Sequence, residues 1–445
     1  MKRYAAYKPT GLKWFPEIPQ EWNWRFLCQV AQEQTIKKPP EEMYPVMTLS
    51  YGEIKRKKNI DSGLVPSNYD NYQMLYKGNI VLRLIDLQND HTSLRTGLVH
   101  ETGIITSAYT CIVSSENPAY IRYLLHSYDT RKVFYGYGGG VRQSIGFKEI
   151  RHLQVSVPPR DEQDQIVRYL DWQVSKINRL IAAKRKQIEL LNQTIAYNLE
   201  RIICEGIHGE ELVETGNPWI STAPKSWNKL RHKNILTEKK IVVGDTYSQY
   251  TLLSLTTKGI IVRDISSGKG KFPSDFSTYQ VVQPSDMVFC LFDVDETPRT
   301  VGLSAYTGMI TGAYTVYETH DVLPEFLLHY FTAIDNKKGF KPLYSGLRKV
   351  IGKDVFSRQS IYLPSVKEQK EIVAAIDASQ KKCKKAMDLF EQEIIALTDL
   401  RTHLISDVVT GQIDVRGIEV PTFEYIDESN NNDENTEEME AELDG

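Results

Sequence analysis

Apolar residues recur at helical spacing in two long stretches of the chain, residues 161–203 and 367–409. Steps of three, four or seven residues place them on one face of an α-helix, and neither stretch contains an internal Gly or Pro. Each stretch therefore predicts a helix of about 40 residues, roughly 60 Å long. The stripe includes Ile166, Leu170, Val174, Ile177, Ile181, Ile188 and Leu191 in the first helix and Ile372, Ile376, Cys383, Met387, Phe390, Ile394 and Leu397 in the second.

An apolar stripe of this length needs a surface to cover it. In one arrangement each helix packs only on its own neighbouring domain. In the other, the two helices pack against each other as an antiparallel coiled coil. We favour the second, because a helix of roughly 60 Å outreaches a domain of about 150 residues. It predicts two globular domains held at opposite ends of a rod and related by a pseudo-twofold axis.

The regions before the two helices are copies of each other. Short runs rich in β-branched and aromatic residues, such as AYTCIV and TLLSL, alternate there with Gly, Asp and Asn, which predicts mixed domains with strands. GVRQSIGFKEIRHLQVSVPPRDEQDQI (140–166) aligns without gaps to GLRKVIGKDVFSRQSIYLPSVKEQKEI (346–372). TGIITSAYT (102–110) likewise aligns to TGMITGAYT (307–315). Offsets that stay this constant indicate an internal duplication.

The duplication predicts an α+β chain with two tandem mixed α/β domains separated by two long helices. The expected boundaries are 1–158 for the first domain, 159–207 for the central helix, 208–364 for the second domain and 365–410 for the C-terminal helix. Residues 411–445 form an acidic tail that we expect to lack stable structure, because its later part is rich in charge and poor in apolar residues.

Charge is distributed unevenly along the chain. Residues 1–160 carry a net charge of +7 and residues 411–445 carry −11, so the overall value of −3 conceals a positive body. A positive body suits a polyanionic partner. The five cysteines are scattered with no C-x-x-C pair, and no apolar run is long enough to span a bilayer. We expect a cytoplasmic protein that does not enter a membrane.

Several motifs resemble those of the specificity subunits of type I restriction-modification systems. PPRDEQDQIVRYLD, repeated as PSVKEQKEIVAAID, is similar to the sequence that begins the long helices of that family. WFPEIPQEWNWRFL resembles the family's N-terminal motif, with NPWISTAPKSWNKL as a weaker second copy. LISDVVTGQIDVR is similar to its C-terminal motif. The resemblance extends over the chain up to about residue 417.

This resemblance implies two target-recognition domains, each binding one half of a split, asymmetric sequence in double-stranded DNA. The paired helices would set the gap between the half-sites. The helices would also dock two methyltransferase subunits that carry S-adenosylmethionine and methylate adenine, and motor-nuclease subunits would complete a restriction enzyme. The chain itself would have no cofactor and no catalytic role. Major-groove faces recur about every 34 Å along a duplex, so a rigid helix pair suits the spacing of two half-sites.

Catalytic motifs are absent or fit a structural role better. Asn117-Pro118-Ala119-Tyr120 resembles the N-P-P-Y loop of adenine methyltransferases. However, Pro118 aligns with Pro324 in the second copy, which predicts a helix start. The acidic residues Asp293, Asp295 and Glu296 lack the Glu-x-Lys that metal-dependent nucleases need, so we interpret them as a loop. No histidine spacing or Walker loop supports a metal or nucleotide site.

Candidate DNA contacts fall into three groups. A basic run contains Lys55, Arg56, Lys57 and Lys58, with Arg263, Lys269 and Lys271 as a sparser equivalent in the second copy. Arg83, Arg95 and Arg299 lie in segments where the two copies diverge, which is where we expect base readout. A duplicated glycine loop carries Tyr137 and Arg142 in the first copy and Tyr344, Arg348 and Lys349 in the second. For the basic run a solvated loop stays open as an alternative, and for the glycine loop a structural turn.

Two other functions remain compatible with the residues alone. A coiled-coil scaffold for other proteins would use the long helices but show no salt-dependent DNA affinity. A self-contained DNA-modifying enzyme would bind S-adenosylmethionine without a partner. We favour the DNA-recognition subunit over both.

Overall fold

The computed structural model describes residues 2–39, 42–50, 52–57, 69–85, 87, 94–137, 144–263, 275–344 and 349–426. Short strands and short helices precede the first long helix. The strands are β1 (Tyr7–Leu12), β2 (Phe15–Pro19), β3 (Asn23–Phe26), β4 (Ala31–Gln34), β5 (Met47–Ser50), β6 (Glu53–Arg56), β7 (Tyr72–Leu75), β8 (Ile80–Leu82), β9 (Thr96–Leu98), β10 (Gly103–Thr106), β11 (Thr110–Ser114) and β12 (Gln154–Val157). The helices are α1 (Leu27–Val30), α2 (Pro118–Thr130) and α3 (Phe147–Ile150), with a 3-10 helix at Val133–Tyr137.

The first long helix, α4, spans Arg160–Glu205. The elements after it repeat those before it. The strands are β13 (Leu212–Glu214), β14 (Thr222–Pro224), β15 (Asn228–Arg231), β16 (Leu236–Lys239), β17 (Leu253–Thr256), β18 (Gly259–Val262), β19 (Gln280–Val282), β20 (Met287–Phe289), β21 (Val301–Leu303), β22 (Gly308–Ile310), β23 (Thr315–Thr319) and β24 (Ser360–Leu363). The helices are α5 (Pro324–Asn336), α6 (Lys353–Arg358) and the second long helix, α7 (Val366–Val409), with 3-10 helices at His232–Asn234, Gly244–Gln249 and Lys341–Leu343.

The strands of the two copies pair in the same way. A four-stranded antiparallel sheet has the order β4–β11–β8–β9 in the first copy and β16–β23–β20–β21 in the second. Two-stranded antiparallel pairs also correspond: β1–β2 with β13–β14, β3–β12 with β15–β24, β5–β6 with β17–β18, and β7–β10 with β19–β22. The predicted duplication is therefore present in the backbone as well as in the sequence.

The chain forms two compact units. Unit 1 comprises Met1–Lys186 and Phe390–Gly445, and unit 2 comprises Gln187–Leu389. Each long helix thus contributes one half to each unit. This division differs from the linear domains expected from the sequence, because the core of each copy includes parts of both long helices.

In unit 1 the two long helices run antiparallel. Asn178 accepts a hydrogen bond from Arg401 at 2.7 Å, and Lys184 lies 2.6 Å from Glu393, so positions rise along α4 as they fall along α7. The stripe residues Ile166, Leu170, Val174, Ile177 and Ile181 share one core with Leu404, Ile405, Val408, Trp22 and Phe134. The predicted antiparallel pairing is confirmed.

In unit 2 the C-terminal part of α4 and the N-terminal part of α7 share the core of the second copy. Leu199, Ile202 and Ile203 are buried together with Ile372 and Ile376, and with aromatic residues of the second copy such as Phe331 and Phe356. The stripe residues nearer the middle of the helices are only partly buried; they are Ile188, Leu191 and Met387 in unit 2 and Phe390, Ile394 and Leu397 in unit 1.

The segment after α7 returns along α4 in unit 1. The side chain of Gln165 donates to the carbonyl oxygens of Val415 and Ile418 at 3.0 and 2.7 Å. At the end of this segment, the N–H of Ile426 donates to Ser175 Oγ at 3.0 Å, and the carbonyl of Ile426 accepts from the side chain of Asn178 at 3.0 Å. Residues 411–426 are therefore packed, whereas the sequence predicted a tail without structure from residue 411; the acidic remainder lies outside the described residues.

The long helices carry too many charges for a lipid environment. Within the described ranges, none of the helices combines the length and the apolar content that a bilayer crossing needs.

Candidate nucleic-acid interface

A tryptophan–glutamate hydrogen bond stands at the start of each long helix. Trp22 Nε1 donates to Glu162 Oε1 at 3.1 Å in unit 1. Trp227 Nε1 donates to Glu368 Oε1 at 3.0 Å in unit 2. Glu162 also accepts a hydrogen bond from the hydroxyl of Tyr4, and both tryptophan side chains are buried. These contacts fix the beginning of each helix against the first strands of its own copy.

The glutamine that follows each of these glutamates joins three segments. Gln163 donates to the carbonyl of Pro158 at 3.0 Å and accepts from the N–H of Asn117 at 3.0 Å. In unit 2 Gln369 donates to Pro364 at 3.0 Å and accepts from the N–H of Leu323 at 2.8 Å. Both glutamines are almost fully buried. The repeated Glu-Gln pair thus ties α4 to α2 and α7 to α5, which explains its duplication.

A glycine with positive φ follows each long helix, and a side chain there would crowd the neighbouring proline. Gly411 has φ 72°, and a Cβ there would overlap Pro19 and lie 3.2 Å from the Trp22 ring. Gly206 has φ 68°, and a Cβ there would lie 3.1 Å from Pro224 Cγ. In each unit the end of one long helix therefore packs on the Pro-x-x-Trp segment that holds the start of the other.

A buried aspartate near the end of α2, and another near the end of α5, each accept a hydrogen bond from the loop before a strand of the four-stranded sheet, β9 in unit 1 and β21 in unit 2. Asp129 Oδ2 accepts from the N–H of Arg95 at 2.7 Å, and Asp335 Oδ2 accepts from the N–H of Thr300 at 3.1 Å. Arg299 adds an ion pair to Asp335 at 3.1 Å. These two aspartates were not singled out from the sequence. Their common place near the end of two matching helices was the signal that could have found them.

Two of the candidate arginines belong to this loop in unit 1. Arg95 has no exposed surface, and its guanidinium donates to the carbonyls of Arg83 and Ile85 at 3.0 and 2.8 Å. The backbone N–H of Arg83 donates to the carbonyl of Arg95 at 2.9 Å. Arg95 therefore lies in the protein interior, where it supports the loop, and Arg83 beside it is partly exposed.

The basic run begins on strand β6 and reaches the surface. Arg56 is exposed and donates to Glu101 at 2.8 Å, which raises the pKa of Arg56 and lowers that of Glu101. Lys55 and Lys57 are partly exposed, and Lys58 lies outside the described residues. Because an exposed ion pair is weakly bound, Arg56 can exchange Glu101 for a phosphate at little cost.

Arg122 was not recognised from the sequence, although it positions this run. It lies on α2 and donates to the carbonyl of Gly52 at 2.8 Å and to Glu53 at 3.2 Å. Gly52 has φ 77° in the turn between β5 and β6. Arg122 thus anchors the hairpin that carries Lys55 and Arg56, and unit 2 has Leu328 in its place.

In unit 2 the end of the glycine loop is held by the acidic residues that were interpreted from the sequence as a loop. Asp295 Oδ2 accepts from Lys349 Nζ at 3.0 Å and from the hydroxyl of Tyr344 at 3.2 Å. Lys349 also contacts Glu296. The hydrogen bond from Lys349 lowers the pKa of Asp295. Arg348 lies outside the described residues.

The other candidates are dispersed. Tyr137 ends a 3-10 helix beside the unit 1 core, and its burial raises the pKa of its hydroxyl. Arg263 follows β18, where its N–H donates to Leu252 at 2.9 Å. The remaining candidates, Arg142, Lys269 and Lys271, lie outside the described residues. Among the described candidates, the structure brings Arg83 together with Arg95 in unit 1 and Tyr344 together with Lys349 in unit 2.

The N-P-P-Y-like segment is a helix start, as predicted. The side chain of Asn117 accepts from the N–H groups of Ala119 and Tyr120 at 2.9 and 3.3 Å and caps α2, whose first residue is Pro118. Tyr120 is fully buried, with its hydroxyl donating to Ser156 O at 3.0 Å. In the part of the chain that the structure describes, no group of three His, Cys, Asp or Glu side chains is placed to hold a metal ion.

Comparisons with known proteins agree with this architecture. The family model of the type I restriction modification DNA specificity domain matches residues 23–190. The putative type I restriction enzyme MjaX specificity subunit of Methanocaldococcus jannaschii is 29% identical over 133 residues. That alignment covers 29% of this chain and 29% of the relative, so it extends over less than a third of the relative's length.

One solved structure in particular shares the fold. A chain from a structure that describes complex assembly and conformational transition of the type I R-M system has a TM-score of 0.62 at 14% identity, covering 89% of this chain and 99% of that chain. The HsdS subunit from Thermoanaerobacter tengcongensis has a TM-score of 0.43 at 16% identity, covering 89% and 98%. At such identities the first likeness shows a common fold, including the two copies and the paired long helices.

Proposed function

Because the chain belongs to the family of type I restriction-modification DNA specificity subunits, we propose that it reads a bipartite, asymmetric DNA sequence, with one half-site bound by each unit. The observation that carries this proposal is a repeated framework with different loops. Trp22 and Glu162 match Trp227 and Glu368 in geometry, whereas the segments 52–72 and 256–279 differ in sequence and charge. Two similar supports with different surfaces suit two different half-sites.

Contacts to the DNA backbone and to bases come from different residues in this proposal. Lys55, Arg56 and Lys57 on the exposed hairpin of unit 1 are suited to phosphates, since each supplies a positive charge at the surface. Arg83, Arg299 and the divergent loops around them are suited to base edges. Arg95 is left out, because its guanidinium is committed to buried carbonyls.

The helix pair supplies the spacing between half-sites in this proposal. α4 and α7 each contribute to the cores of both units, and the antiparallel contact between Asn178 and Arg401 makes the pair stiff in unit 1. A helix advances 1.5 Å per residue, so helix length translates directly into a distance along the duplex.

Two methyltransferase subunits are the partners that we propose for the exposed faces of the long helices. Unit 1 exposes Leu180, Ile395 and Leu400, and unit 2 exposes Leu190, Tyr197 and Leu389. Large apolar side chains at 49–65% exposure on a helix that already has a covered stripe indicate a second contact face. S-adenosylmethionine would bind in those partners, and motor-nuclease subunits would join the same assembly.

The proposal is tested by two titrations of the full-length chain. S-adenosylmethionine added to the isolated chain in a calorimeter is expected to give no binding, and saturable binding would favour a self-contained modification enzyme. Duplex DNA is expected to bind with an affinity that falls steeply with salt and rises when methyltransferase subunits are added. DNA affinity that does not change with salt would favour a protein scaffold instead.

A further inference from the structure

A shallow concavity of about 470 Å³ opens on the surface of unit 2 beside strand β15. Three cations line it, Lys229, Arg231 and Lys233, together with Leu230, Asn234 and Ser360. The lining contains hydroxyl, amide and cationic groups but, among the described residues, no carboxylate. None of these cations was selected from the sequence.

The local backbone holds the three cations in fixed positions. Lys229 and Arg231 lie two residues apart on β15, so their side chains leave the same face of the strand. β15 pairs with β24, where Lys229 lies opposite Tyr362 and over its ring at 5.4 Å. The N–H of Arg231 donates to the side chain of Asn234 at 3.0 Å, which orders the 3-10 turn that carries Lys233.

None of the three cations is neutralised by another side chain within the described ranges, although ion pairs occur close by. Lys353 pairs with Glu238, and Lys240 lies 3.5 Å from the same glutamate. Three unneutralised charges around one concavity repel one another, and a bound anion would relieve that repulsion. The concavity is too open for a small anion to be enclosed, which suits an extended phosphate backbone.

The corresponding surface of unit 1 lacks these charges. At the matching offset, Trp24, Phe26 and Cys28 stand where unit 2 has Lys229, Arg231 and Lys233. Trp24 packs on Phe15 with ring centres 5.5 Å apart, and Phe26 packs on His152 at 5.6 Å. The same backbone position therefore serves packing in one unit and carries charge in the other.

We propose that Lys229, Arg231 and Lys233 form a phosphate-binding surface through which unit 2 grips the backbone of duplex DNA. This inference rests on the proposed function, since it presumes that the chain binds DNA. The contacts would be independent of base sequence, because the phosphate groups of the backbone are the same at every base pair. They would strengthen the binding of unit 2 to the DNA backbone in particular.

The test measures the salt dependence of DNA affinity for the full-length chain on a duplex of about 40 bp and arbitrary sequence. Each phosphate contact contributes about 0.9 to the slope of log affinity against log salt. The variant K229A/R231A/K233A is expected to lower that slope by about 2.7. Between about 50 and 200 mM salt the unaltered chain would then lose roughly 40-fold more affinity than the variant.

The matched control is K381A/K382A/K385A, which removes three exposed lysines from α7 in the same unit. Its slope is expected to stay close to that of the unaltered chain. The same slope for all three proteins, or an equal decrease in slope for both variants, would overturn the inference while leaving the proposed function intact. Loss of methyltransferase binding without loss of DNA affinity would identify a protein-docking surface instead. Absence of DNA binding by the unaltered chain would overturn the proposed function and this inference together.

Discussion

The indole N–H of Trp22 donates a hydrogen bond to the carboxylate of Glu162, with 3.1 Å between Nε1 and Oε1. Trp22 has no exposed surface and Glu162 is 6% exposed, so the bond lies in the interior of unit 1. Its counterpart in unit 2, between Trp227 and Glu368, lies closer to solvent. The two bonds are equal in geometry but not in burial.

The substitution W22F should therefore destabilise unit 1 more than W227F destabilises unit 2. Loss of the donor leaves a buried carboxylate with fewer partners, and the smaller ring leaves a cavity, so we expect a cost of about 2–4 kcal/mol for W22F. For W227F we expect about 1–2 kcal/mol less. Hydrogen exchange read by mass spectrometry measures each unit separately. Equal loss of protection in both would contradict the role given to burial.

Truncation should separate the packed from the acidic part of the C-terminal segment. A chain ending after Ile426 keeps every described contact and is expected to melt at the same temperature as the full chain. A chain ending after Gly411 loses the fully buried side chain of Val415 and leaves Gln165 without its two carbonyl acceptors. We expect it to lose several degrees in Tm. Identical melting of both truncations would show that residues 412–426 add no stability.

The buried histidine of unit 2 should make stability depend on pH. Burial lowers the pKa of His232 to about 4, whereas an exposed histidine titrates near 6.5. The folded chain thus binds fewer protons than the unfolded chain between these values, so stability is retained above about pH 6.5 and lost as the pH falls towards 4. Between about pH 7.5 and 5.5 the loss from this residue is about 1 kcal/mol.

The variant H232F should remove that part of the loss, because Phe keeps the contacts with Phe331 and Phe356 without a titrating group. Melting temperatures at the two pH values provide the measurement. H403F, at an exposed position of α7, is the matched control and should leave the dependence unchanged. Burial also lowers the pKa of His126 in unit 1, to about 3. A similar loss of stability at low pH should therefore remain in H232F because of His126.

Removal of the Asp295 charge beside Lys349 should strengthen binding to DNA. D295N replaces the carboxylate that lies 3.0 Å from Lys349 with a neutral amide and leaves Glu296 as the remaining carboxylate at Lys349. We expect DNA affinity at low salt to rise severalfold. D293N removes the same charge two residues away without touching Lys349, so it separates the two effects. An equal rise for both variants would show that overall charge, and not Lys349, is responsible.

Periodicity in the sequence was sufficient for the long helices, because an apolar stripe along one face of so long a segment is typical of a packed helix. The stripe from Ile166 to Ile181 packs as expected, and the observed α4 and α7 begin and end close to the limits of the predicted stretches. The repeated Glu-Gln pair marked the helix starts correctly. Its roles could not be read from sequence, since the partners Trp22 and Asn117 lie far away along the chain.

The candidate contacts were predicted less well, because residue type alone does not report burial. Arg95 has the side-chain chemistry of a DNA contact, yet Asp129 and two carbonyls hold it inside unit 1. Arg231 is exposed and has no neutralising side chain among the described residues, but it was not selected from the sequence. Its matching residue in unit 1, Phe26, is apolar, so the repeat did not mark this position as a candidate contact. Only the folded arrangement separates a supporting arginine from an available one.

Sequencing of methylated adenine in DNA from cells that express this chain with the methyltransferase subunits proposed as its partners tests the central claim most directly. We predict a split motif with two different half-sites. Removal of one heptad from the middle of both α4 and α7 shortens the helices by about 10 Å, so the gap should shrink by about 3 bp while both half-sites persist. A contiguous motif, or half-sites that change when only the helices are shortened, would contradict it.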